Sequence, residues 1–136
     1  MNIILIYIGT AAAFFVVDII WLGLLAKNFY RKHLGPFFSE RVNWPAAVLF
    51  YGIYIAGLLF FVIMPAVQKG SMGHAAVTGA LFGLVTYATY DLTNLATLKG
   101  WPLPIVVVDM IWGTFLCSVT SVIGFVIASE VMNRLA

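Results

Sequence analysis

Charge is scarce in this chain: seven Lys or Arg and five Asp or Glu in 136 residues, 9% in all. Soluble domains carry about 25%. A net charge of +2 gives no reason to expect a nucleic-acid partner. The single cysteine, Cys117, excludes a disulfide framework. Alternating ten-residue patterns of barrel strands are absent, as are a phosphate-cradling loop and a nucleophile-with-base motif. His33 and His74 have no partners at metal-ligand spacing, so no metal site and no cofactor is indicated. "MNIILIYIGTAAAFF" lacks a basic stretch ahead of its apolar run, which reads as a retained span rather than a cleaved signal.

Apolar residues are abundant, at 63%. A chain of this size cannot bury so much apolar surface away from water, so the expected solvent is lipid. A helical span needs about 20 apolar residues. Four stretches qualify, at 3–25, 45–67, 74–97 and 103–129. The reading is one all-α domain over 1–136, a polytopic membrane protein of four transmembrane helices. The segment 27–38 places Tyr30, Leu34 and Phe37 near one helical face, which fits a short interfacial helix or an irregular basic loop. Lys27, Arg31, Lys32, Arg41 and Lys99 lie in the first and third connections, against Lys69 and Arg134 on the other side. That bias places those connections in the cytoplasm and both termini outside.

A repeat marks the boundaries. Asp18, Leu22 and Leu25 match Asp91, Leu95 and Leu98 at one offset, and each set is followed by a Trp-Pro pair, Trp44–Pro45 and Trp101–Pro102. Two related helical hairpins are expected. The repeat also sets depth. Asp18 and Asp91 each stand seven residues before the end of a span, and Asp109 stands seven after Pro102. At 1.5 Å per residue all three lie about 10 Å inside one membrane face.

Helical wheels aim these acids inward. Asp18 shares a face with Tyr7, Ala11, Phe14 and Trp21; Asp91 with Tyr87, Tyr90 and Asn94; Asp109 with Trp112, Gly113 and Thr120. Tyr51 and Tyr54 lie at similar depth on the second span. Facing lipid would cost about 2.5–3.5 kcal/mol per aspartate. No Lys or Arg occupies that level. The cluster therefore calls for protons on some carboxyls, or for a cation. Asp18, Asp91 and Asp109 are the candidate proton or cation ligands, oriented by Tyr51, Tyr54, Tyr87, Tyr90 and Asn94 and walled by Trp21 and Trp112. A carrier of a proton, cation or cationic small molecule is the leading expectation. A lipid-modifying enzyme with an aspartate as general acid is the second. A scaffold held together by buried polar groups is the third.

Small residues recur at Gly79 and Gly83 and at Gly113, Cys117 and Ser121, as a close-packing seam or a homodimer face. Thr86, Thr89, Thr93 and Thr97 form a second polar stripe on the third span, which places that helix centrally, away from lipid.

The stretches "VVDIIWLGLLAKNFYRKHLG", "NWPAAVLFYGIYIAGL", "ALFGLVTYATYDLTNLATLKGWPL" and "VVDMIWGT" resemble the bacterial DUF2177 family of small predicted membrane proteins. The resemblance runs through nearly the whole chain, with "YATYDLTNLATLKGWPL" its most specific part. It implies a membrane location but no activity. Members are often encoded near lipid-modifying enzymes, which implies a link to lipid.

Overall fold

The computed structural model describes residues 2–135. They form six α-helices and no strand: α1 (Ile3–Ile20), α2 (Lys27–Leu34), α3 (Trp44–Leu58), α4 (Met64–Lys69), α5 (Met72–Thr97) and α6 (Leu103–Leu135). Side chains cap several starts. Asn2 accepts from the Leu5 amide, Asn43 from the Ala46 amide and Ser71 from the His74 amide. These are three of the orphan donors a helix start leaves open. Gly70, at φ 63°, ends α4 in the left-handed conformation that glycine adopts without strain.

Two widened π-turns extend these helices. One, Trp21–Leu25, continues α1, and the Ala26 amide reaches back to the Trp21 carbonyl at 2.7 Å. The chain then enters α2 with no intervening loop. The other, Leu59–Ile63, joins α3 to α4 just before Pro65. Proline has no amide hydrogen to give and crowds the carbonyl four residues back, so the helix opens by one residue upstream of it.

Three helical stretches are long and apolar enough to cross a membrane: Ile3–Leu25, Trp44–Lys69 and Leu103–Leu135. Helix α5 is as long, at 26 residues, but is not one of them. Its threonines, tyrosines, His74, Asp91 and Asn94 dilute its apolar character.

Helix α6 is the hub. It packs along α5, against α1, and against the α3–α4 region from Leu59 onward. This corrects the expectation that α5 is central. The outer threonines Thr89, Thr93 and Thr97 are exposed, and each bonds a carbonyl of its own helix. A hydroxyl satisfied one turn back can face an apolar solvent at little cost, so a threonine stripe does not require a protein neighbour.

The α5–α6 seam is glycine-dense. A methyl group at Gly83 would collide with the Gly113 carbonyl, and one at Gly79 would collide with Ser121 and the Cys117 carbonyl. The Gly79/Gly83 and Gly113/Cys117/Ser121 stripes therefore face each other within one chain. All five residues are buried, so neither stripe is left free as a dimer face.

The core divides into three clusters. Leu58, Leu59, Val62 and Ile63 meet Ile6 and Ala128 in one. Phe14, Tyr54, Ile55, Leu116 and Cys117 form the next. Ala26, Tyr30 and Leu34 pack against Trp101, Ile105 and Val106 in the third. The buried face of α2 thus closes the end of the bundle where the acids lie.

Candidate functional site

The α1 face that carries Ile6, Thr10, Phe14 and Asp18 is buried, at the helical spacing of four. It delivers the Asp18 carboxyl to α6, where the Trp112 indole N–H donates to it at 3.2 Å. Trp21, one turn beyond Asp18, stacks on Trp112, with ring centroids 4.5 Å apart and planes 10° from parallel. The Trp21 indole N–H donates to the Tyr30 hydroxyl at 3.2 Å. Tyr30 in turn donates to Asp109 Oδ1 at 2.8 Å. Two stacked indoles thus serve two carboxylates, one directly and one through a phenol. Burial pushes the Tyr30 hydroxyl well above the ordinary phenol range, and the Asp109 charge adds to the rise, so Tyr30 remains a donor at physiological pH.

Asp109 is the middle member of the trio. It lies close enough to both Asp18 and Asp91 for their charges to act on one another. Asp91 is fully buried, and neither of its oxygens has a hydrogen-bond donor. Neighbouring carboxylates repel one another when ionised, and a proton or a cation between them relieves that repulsion. No basic group supplies the charge, because the ion pair found among the described residues is Arg134–Glu130, exposed near the far end of α6. The three aspartates are neighbours in a row rather than a convergent ligand set: among the described residues, no three His, Cys, Asp or Glu side chains are grouped as metal ligands are.

Beside this row lies a cavity of about 490 Å³, lined by Phe14, Phe50, Tyr51, Tyr54, Thr86, Tyr87, Thr89, Tyr90 and Asp109. Phe50 on α3 and Thr89 and Tyr90 on α5 are exposed, so the mouth lies between those two helices. Along Trp44–Leu58 the α3 backbone stands off from α5 and meets it through side chains, Tyr54 against Phe82 and Thr86; the backbones close only from Leu59 onward. A second, apolar groove of about 340 Å³ runs between α1 and α3 and shares Tyr51 with the first.

The structure brings half of the ten residues singled out from sequence to the cavity wall. Tyr51, Tyr54, Tyr87 and Tyr90 all line the cavity, and Asp109 is its one charged group. Tyr51 packs on the rings of Phe14 and Phe15. Tyr54 turns its hydroxyl to the Cys117 thiol and to Thr86. The Tyr87 ring occupies the space a side chain at Gly113 would need. Asp18, Asp91, Trp21, Trp112 and Asn94 are not part of the lining. Asn94 sits half-buried one turn beyond Tyr90. Sequence reasoning missed Tyr30, which belongs to a connection and meets its acid 79 positions away. Its signal was present in the apolar face it shares with Leu34.

Acids buried among long apolar helices, without basic partners, define a protein built for the membrane. The family model for DUF2177, described as a predicted membrane protein, matches residues 3–126. The chain belongs to that family. No curated protein matches it, and no solved structure does.

Proposed function

We propose that this protein binds a proton or a cation at the row Asp18–Asp109–Asp91, and that this binding is the working step of a carrier. In this reading α5 crosses the bilayer with the three apolar helices, giving four spans in the cytoplasmic membrane as two related hairpins. The first and third connections face the cytoplasm and both termini lie outside. The basic residues of those connections support that orientation. The antiparallel packing of α5 along α6 supports the fourth span.

One observation carries the reading. Asp91 is buried, has no donor, and stands against Asp109 with no basic group to neutralise either. Structural glue would leave its polar atoms satisfied. Ionisable groups inside membranes usually mark ion or proton pathways. The test uses purified protein in an uncharged detergent. Its thermal stability is expected to respond to pH and to monovalent cations, and the response is expected to vanish in the triple Asp→Asn variant. A variant that still folds and still responds would overturn the proposal. A chain whose stability responds to neither condition would favour the scaffold reading.

The mouth between α3 and α5 supports a second reading, a lipid-modifying enzyme with Asp109 as general acid. It requires that Asp109→Asn change the lipid profile of cells carrying the protein. An unchanged profile would remove it.

A further inference from the structure

The cavity is far too large for the proton or simple ion that suffices for the acid row. We propose that it takes the ammonium head of a lipid-like amine, which enters sideways from the bilayer between α3 and α5. This rests on the reading of the acid row as a cation site and names the larger ligand that meets it.

Three features select that chemistry. The first is size: about 490 Å³ lies within the range of small-molecule pockets and holds an alkylated ammonium with the first carbons of its tail. The second is the wall. Aromatic rings of Phe14, Tyr51, Tyr54, Tyr87 and Tyr90 surround a single carboxylate, Asp109. Aromatic faces with an acid attract an ammonium by cation–π and charge terms together. No Lys or Arg lines the cavity, so a phosphate or carboxylate head would meet only Asp109. Thr86 and Thr89 already bond the Phe82 and Val85 carbonyls of their own helix, at 2.9 and 2.7 Å, so the polar groups left in the wall are tyrosine hydroxyls, carried on rings that also offer their faces to an ammonium.

The third is the doorway. Phe50, Thr89 and Tyr90 form an exposed rim at the level where the α3 backbone stands off from α5. Both helices otherwise present apolar surface there, with Leu49 and Ile53 on α3 and Val85 and Leu92 on α5 exposed. A tail can remain in the bilayer while the head turns inward. Asp109 belongs to the cavity and to the acid row at once, so an ammonium in the cavity competes with whatever Asp109 shares with Asp91.

Dodecyltrimethylammonium, tetramethylammonium and dodecanol, titrated separately against purified protein in nanodiscs, test this by thermal stabilisation. Dodecyltrimethylammonium is expected to act at concentrations at least tenfold below tetramethylammonium, with dodecanol inactive. Asp109→Asn and, separately, the rim variant Thr89→Trp are each expected to weaken it at least tenfold. The second substitution keeps the test valid if the first misfolds. Equal action by dodecanol would show simple partitioning and overturn the inference. So would equal action by tetramethylammonium, or tight binding that survives both variants. If the amine fails while the acid row still responds to pH and cations, this inference falls and the proposed function stands. If that response is missing too, the proposed function falls with it.

Discussion

The two long helix pairs of this protein meet in opposite ways. Helices α5 and α6 follow one another across the short Leu98–Pro102 turn and close on a glycine seam. Helices α1 and α3 are separated by α2 and its following turn, and they touch through large aromatic side chains: Phe14 and Phe15 against Tyr51, and the Tyr7 hydroxyl donating to the Gly52 carbonyl at 2.9 Å. Small residues let backbones approach, whereas rings hold them apart. The first pair gives rigidity, and the second leaves room for a cavity and a groove. Matching positions of the repeat diverge in the same sense. Trp101 is 8% exposed and packs on Phe37 and Tyr90, while Trp44 is 68% exposed. Asp18 has an indole donor, and Asp91 has none.

Substitutions can break this contrast, beginning with the largest effect. Trp101→Ala empties a buried site and should cost about 4 kcal/mol, whereas Trp44→Ala should cost under about 0.5 kcal/mol, measured by reversible unfolding in mixed micelles. Equal losses would show that the repeat positions are alike after all. Gly83→Ala drives a methyl into a backbone carbonyl that cannot turn aside, and should cost about 3 kcal/mol. Gly57→Ala meets only the Phe82 ring at 3.5 Å, ordinary contact, and should melt close to the parent protein. A tolerant Gly83 would mean the seam is looser than its geometry.

Tyr30→Phe removes a donor to a carboxylate and should cost about 2 kcal/mol, while tryptophan emission shifts as Trp21 loses its acceptor. Unchanged emission would detach α2 from the acid row. The smallest effect has the opposite sign. Asp91→Asn removes a buried carboxyl that has no donor and neighbours Asp109, and should raise stability by about 1 kcal/mol. Asp18→Asn keeps an oxygen for Trp112 and should change less. A destabilised Asp91→Asn protein, with Asp18→Asn unaffected, would show that the buried acid is held by structure rather than kept for binding.

Much of this arrangement is legible in the residues. The all-helical architecture follows from apolar run length, and four aromatic cavity residues follow from wheels and depth. The wheel fails where contact rather than facing decides. Tyr30 reads as part of an interfacial helix or a basic loop, because nothing local links it to Asp109 on α6. The position of α5 is misread because a threonine hydroxyl bonded within its own helix looks, in sequence, the same as one seeking a partner. The gap between the α3 and α5 backbones is invisible as well, since the periodicity of one helix carries no information about its distance from another.

The widened turn at Trp21–Leu25 makes α1 one residue longer than a regular helix would be at that point. Adding one more residue there, for instance after Gly23, asks a turn that already holds an extra residue to absorb a second, and should rotate everything after it by about 100°. Composition, hydropathy and span length would hardly change. Yet Tyr30 would swing off Asp109, and the lid formed by α2 would lift from the end of the bundle. A lesion that no hydropathy plot registers would then uncouple the surface helix from the buried acids.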